Sequence, residues 1–117
     1  MKKISLSRAV GKKYEKKLPV GTYMSVVTSV GFSEKHLAET ALEIKYELTA
    51  TDGSKYSYRE IFENDDRNPR TAAFFDKLEE YGFSLDDVTQ FEGFEEILVL
   101  KQQVGKRFLT IESRSAR

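Results

Sequence analysis

The sequence predicts a mainly β domain of five antiparallel strands with one helix between the third and the fourth. Three observations predict it. Leu42, Ile44, Tyr46, Leu48 and Ala50 alternate with Glu43, Lys45, Glu47 and Thr49, the period-2 pattern of a strand with one buried face. Thr51-Asp52-Gly53-Ser54 then supplies the Asp-Gly step that hairpins favour, and a second run sets Tyr56, Tyr58, Glu60 and Phe62 against Lys55, Ser57, Arg59 and Ile61. One helical stretch, opened by Asn68-Pro69, separates this ribbon from two further extended runs.

At 117 residues the chain holds one domain with a modest core. Its longest aliphatic run, Ile97-Leu98-Val99-Leu100, is far short of a membrane span, and the basic N-terminal residues have no apolar stretch behind them as a secretory signal would. Without cysteine there are no disulfides and no thiolate metal sites, which fits a reducing cytoplasm and no membrane partner. Net charge is zero but unevenly spread: residues 1–17 carry seven basic groups against Glu15 alone, and residues 106–117 carry four against Glu112. The body between them is acidic. Basic ends on an acidic body suggest arms seeking an anion, although terminal lysines also serve solubility alone.

In chain order, residues 1–17 read as a flexible basic arm, residues 18–112 as the folded domain and residues 113–117 as a basic tail. Leu18-Pro19-Val20-Gly21 turns into a first strand, Thr22 to Val30, with Met24, Val26 and Val30 on one face. Residues 31–40 lack a period and read as a loop; the hairpin follows. Asn68 caps a helix with Pro69 at its first position, Thr71, Phe74, Phe75, Leu78 and Tyr81 recur at helical spacing, and Gly82 ends it. Ser84 and Asp87 have the spacing of a capping box for a short turn through Val88. Ile97 to Val104 and Arg107 to Glu112, joined at Gly105-Lys106, are the last two strands.

The order β-β-β-α-β-β is that of an OB-fold-like five-stranded antiparallel barrel, whose helix plugs one end. An open antiparallel sheet with the helix across one face has the same string of elements. Leu18-Pro19-Val20-Gly21-Thr22-Tyr23, the strand Leu42 to Tyr46, the Asp52-Gly53 turn, Asn68-Pro69-Arg70 opening a helix that ends near Tyr81-Gly82, and Phe91-Glu92-Gly93 before the hairpin Val99 to Ile111 together resemble the small OB-fold proteins of phages and integrative elements in Gram-positive bacteria. Those are usually described as single-strand DNA-binding proteins. The resemblance spans residues 18–112 and implies a nucleic-acid-handling protein of mobile DNA; it carries no residue-by-residue binding motif.

Non-specific single-strand binders pair cations with aromatic platforms, because every nucleotide offers a phosphate and a stackable face. The hairpin supplies both in Lys45, Lys55, Tyr56, Tyr58 and Arg59, though alternation sets the cations opposite the tyrosines. Tyr56 and Tyr58 can equally be core. Arg70 and Arg67 flank a helix start able to hold a phosphate or to pair with Glu63, Asp65 or Asp66; Lys101, Lys106 and Arg107 would extend a basic track, and Phe32 could stack a base. Catalysis has little footing. His36 is alone in a loop, Glu43-Ile44-Lys45 lacks the upstream acid of the nuclease motif it otherwise matches, and no acidic spacing selects a metal loop. The expected protein is therefore a non-enzymatic single-stranded DNA binder with no cofactor. The competing expectation is an adaptor whose acidic body docks a protein of the same mobile element.

Overall fold

The computed structural model describes residues 18–33, 41–105 and 109–117, so the N-terminal arm, His36, Lys106 and Arg107 lie outside the described residues. Five strands form one curled antiparallel sheet, a half-barrel: β1 Gly21–Phe32, β2 Ala41–Thr49, β3 Lys55–Glu63, β4 Glu95–Gln102 and β5 Leu109–Ala116. Helix α1, Pro69–Glu80, and a 3-10 turn, Val88–Phe91, lie between β3 and β4. The spatial order is β3-β2-β1-β4-β5. Strand order and helix position are those of the OB-fold-like barrel expected from the sequence.

The curl has local causes. Val27 pairs with Tyr46 and Ser29 with Lys45, so Thr28 is an extra residue bulged out of β1. Val99 pairs with Ser113 and Leu100 with Ile111, leaving Glu112 extra on β5. A bulge bends its strand and increases its twist. It also corrects the expected face of β1: Tyr23, Ser25 and Val27 point inward, the bulge shifts the phase, and Val30 points inward as well, while Met24 is exposed. The groups displaced by the bulge are not left unpaired. Val27 O accepts from Gly93 N at 2.7 Å, Val27 N donates to Phe94 O at 3.0 Å, and Val30 N donates to the Glu92 carboxylate at 2.8 Å. The 91–94 turn is thereby fastened to β1, with Gly93 at φ +85°, where only glycine sits without strain.

The hairpin runs in unbroken register from Ala41↔Glu63 to Thr49↔Lys55. Its loop is longer than a two-residue Asp-Gly turn: Ala50 N donates to Ser54 O, and Asp52 Oδ1 accepts from Ser54 N. Inward residues of β1 to β4 share one core with α1, whose Thr71, Phe74 and Leu78 are buried, and Leu109 and Ile111 of β5 pack against it. Phe74 stacks on Phe62 with ring centres 4.4 Å apart, and Phe91 meets Phe74, Phe83 and Phe94, so aromatic rings plug this end of the half-barrel.

Both helix caps follow from the sequence. Asn68 Oδ1 accepts from Arg70 N and Thr71 N, and Pro69 occupies the position where a missing N–H costs nothing. At the far end Phe83 N donates to Leu78 O and Gly82 N to Glu79 O around Gly82 at φ +95°, a Schellman motif. For the following turn Asp87, not Ser84, is the N-cap, accepting from Thr89 N. β5 runs four residues past the expected boundary at Glu112, so residues 113–117 are not a tail: Ser113, Ser115 and Ala116 pair with β4, and Arg117 N donates to Glu95 O. Asn68→Ala should cost about 1 kcal/mol of unfolding free energy in urea titration, the usual worth of an N-cap side chain.

Candidate nucleic-acid interface

The sheet has two faces, and strict alternation along β2 and β3 sorts the expected site residues between them. Lys45, Lys55 and Arg59 are on the outer face and exposed. Lys45 and Arg59 are direct cross-strand partners, two cations facing each other, with side chains 56% and 53% exposed. Opposed like charges destabilise a ladder. Here one carboxylate serves both, Glu43, at 3.1 Å from Arg59 Nη1 and 4.0 Å from Lys45 Nζ. Lys55 Nζ lies 3.4 Å from Glu47 and donates to Thr49 Oγ1 at 3.1 Å. Two adjoining shallow hollows of about 340 and 240 Å³ lie here. Both are lined by Thr28, Tyr46 and Ser57; Lys45 and Arg59 line the first, Lys55 the second. Cations and hydroxyls around an open hollow suit phosphate oxygens.

The tyrosines are on the other face, which corrects the stacking platform expected from the hairpin. Tyr56 is half-buried, edge-on to Tyr23 with ring centres 5.8 Å apart. Tyr58 packs against the core near the Tyr46 ring, and its hydroxyl donates to Leu109 O at 3.0 Å, reaching across from β3 to β5. Burial, then the Glu60 charge, pushes the Tyr58 phenol up to about 12. Alternation without a bulge is the reason: the register of β2 and β3 never slips, so rings and cations cannot share a face.

The remaining expected residues scatter. Arg70 belongs to the inner side: its Nη1 donates to Ile61 O at 2.7 Å, its Nη2 is 3.6 Å from Glu60, and its guanidinium lies 4.2 Å above the Phe62 ring. Arg67 pairs with Asp65, whose carboxyl its hydrogen bonds hold down to about 2. Lys101 is exposed on β4 opposite Thr110, at the same end of the sheet as Lys55 but three strands away. Phe32 is exposed at the end of β1.

Beneath the tyrosines lies a polar cluster that the sequence reading missed. Arg114 donates from Nε and Nη2 to both oxygens of Glu96 at 2.8 Å, from Nη1 to Glu60 at 3.2 Å and from Nη2 to the Tyr46 hydroxyl at 2.9 Å. Tyr46 in turn donates to Glu60 at 2.6 Å, and Tyr81 to Glu96 at 2.9 Å. Glu96 is wholly buried. Burial alone would disfavour the Arg114 charge, but hydrogen bonding to Glu96 and the surrounding negative charge hold it protonated. Burial, then the neighbouring carboxylates, raises the Tyr46 and Tyr81 phenols. A signal existed: Glu60 shares the parity of Tyr58 and Phe62, and Glu96 that of Leu98 and Leu100, so alternation points both inward. Above this cluster, between β3, β5 and α1, opens a cleft of about 420 Å³ lined by Tyr58, Phe62, Arg70, Phe74, Ile111 and Arg114 among others.

Among the described residues no group of three or more His, Asp or Glu side chains is placed to hold a metal ion, and no helix is long and apolar enough to cross a membrane. No protein-family model matches the sequence, and no curated protein matches it.

Two outcomes test this chemistry. Arg114→Leu leaves Glu96 buried without its cation and Glu60 with Arg70 alone, and should cost about 3–5 kcal/mol in urea or thermal unfolding, the usual penalty for breaking a buried pair. In alkali, Tyr58 is raised in the folded state, so the stability it contributes is whole below the ordinary phenol range near pH 10 and is lost as pH rises toward 12. Absorbance titration of phenolate should therefore show Tyr46, Tyr58 and Tyr81 ionising late, together with unfolding.

Proposed function

We propose that this protein is a non-catalytic single-stranded DNA-binding module, weak in sequence preference, that acts in the cytoplasm of a bacterium carrying a phage or mobile element. The observation that carries the reading is the Lys45–Arg59 pair, two exposed cations set face to face over one carboxylate beside a shallow hollow. A phosphate seated there relieves their repulsion and gains two charge-assisted hydrogen bonds. Lys55 continues the track toward the hairpin tip, and Ser57 supplies a hydroxyl along it. The half-barrel itself supports the reading by analogy, since folds of this topology present nucleic acid on the second and third strands. The association with mobile DNA rests on the sequence resemblance alone. With the hairpin tyrosines turned inward, binding is led by phosphate.

The described residues carry nine basic and sixteen acidic side chains, and this excess of negative charge favours a second reading, an adaptor that docks a basic protein of the same element. Anisotropy titration of a labelled single-stranded oligonucleotide, with duplex of equal length as control, separates the two. Saturable, salt-sensitive binding that prefers the single strand supports the first reading; no binding at low salt leaves the second. In the first case Lys45→Ala with Arg59→Ala should weaken binding and flatten the plot of log affinity against log salt. The slope should fall by about 0.7 for each phosphate no longer neutralised, hence about 1.4 for the double variant. An unchanged slope would remove this face from the interface.

A further inference from the structure

The seam between β3 and β5 is open. Among the described residues no backbone hydrogen bond joins the two strands, and side chains bridge them instead: Tyr58 to Leu109 O, and Arg114 to Glu60. The direction of the β3 backbone follows from its neighbours. Ile61 O and Glu63 O are taken by Arg70 and Thr71 of the helix, so the odd-numbered residues of β3 turn their peptide groups away from β2. Lys45, opposite Arg59, agrees: its carbonyl accepts from Thr28 on the β1 side. With no slip in the β2–β3 register, the N–H and C=O of Ser57 and Arg59 face the seam by the same parity.

We propose that this seam receives an extended segment of a partner protein, added by backbone hydrogen bonds to the edge of β3 that no described strand pairs. The geometry states its chemistry. A strand laid along β3 points alternate side chains inward, into the 420 Å³ cleft, whose lining is mixed; there an apolar group packs on Tyr58 and Ile111, between the charged Arg70, Glu112 and Arg114. The other side chains point outward beside Lys55 and Arg59, the cross-strand neighbours on that face, where acidic groups are favoured. The occupant is thus a peptide alternating apolar and acidic residues. Its backbone lies on the edge of the hairpin, while its acidic side chains share Lys55 and Arg59 with the outer hollows proposed for phosphate.

The test uses the full chain and an immobilised array of short acetylated peptides alternating Glu or Asp with Val, Ile, Phe or Tyr, beside an array with Lys in place of the acids. Amide hydrogen exchange is then read on the free protein and with the best acidic peptide in solution. The proposal expects binding concentrated on the acidic array and exchange at Ser57 and Arg59 slowed about ten-fold or more by the peptide. Ser57→Pro, which removes only the edge N–H, should weaken the peptide about five-fold, the worth of one hydrogen bond. Should that variant misfold, Arg59→Glu provides the second reading by moving preference toward the Lys array. Any of four results overturns the proposal: no peptide bound; a peptide footprint away from β3; Ser57 and Arg59 amides already protected in the free protein in proportion to its concentration, which makes a second copy the occupant; or the same amides protected by an oligonucleotide alone.

Discussion

The half-barrel depends on Arg114. One guanidinium from the last strand grips Glu96 on β4, Glu60 on β3 and Tyr46 on β2, and Tyr81 just past the helix closes the cluster on Glu96. A buried charge is costly unless it is paired and hydrogen-bonded, and this one is both, with a bidentate carboxylate contact as its strongest part. Apolar residues in place of the whole cluster could fill the same volume at no greater cost to stability, whereas losing Arg114 alone strands its buried carboxylates. What apolar residues could not do is hold β5 to β3 across a gap that their backbones do not bridge. The ionic cluster therefore sets the distance at which the sheet stops curling, and the cleft above it is the space left by that arrangement.

Where local physics decided the structure, the sequence was legible. Alternation separated the two faces of β2 and β3 from Leu42 to Phe62, because a strand without a bulge repeats with a period of two and nothing interrupts it. Asn68, Pro69 and Gly82 announced the helix because each solves a problem of backbone hydrogen bonding at a helix end. The strand order followed from the string of elements. The failures have a common origin in contacts between residues distant in the chain. Thr28 carries no local mark of a bulge; its displacement is compensated by Glu92, Gly93 and Phe94, more than sixty residues on. The length of β5 is similar. Ser113, Arg114 and Ser115 have no strand-like composition, and they are extended because β4 pairs with them and Glu96 awaits the guanidinium.

The candidate site was half legible for the same reason. Residue types suggested a hairpin bearing both rings and cations, and geometry separates them. The two bulges of the sheet fall in β1 and β5, none in β2 or β3, so the hairpin keeps its rings for the core and its cations for solvent. Tyr56 and Tyr58 help to cover the inner side of a sheet that does not close, a task that a fully paired barrel would leave to aliphatic residues.

That separation limits the kind of recognition this surface can perform. Stacking reads a base through its face and gains from desolvating it; paired surface cations read only the charge of the backbone, in competition with their own carboxylates. Glu43 and Glu47 lower the attraction of Lys45, Arg59 and Lys55 for any anion, and the acidic remainder of the domain lowers it further through the long-range field. An isolated phosphate is thus a poor ligand for the outer face. A chain of phosphates is a better one, because each contact after the first avoids a new association cost. The arrangement favours length and charge density over base identity. Affinity then resides in the number of simultaneous contacts.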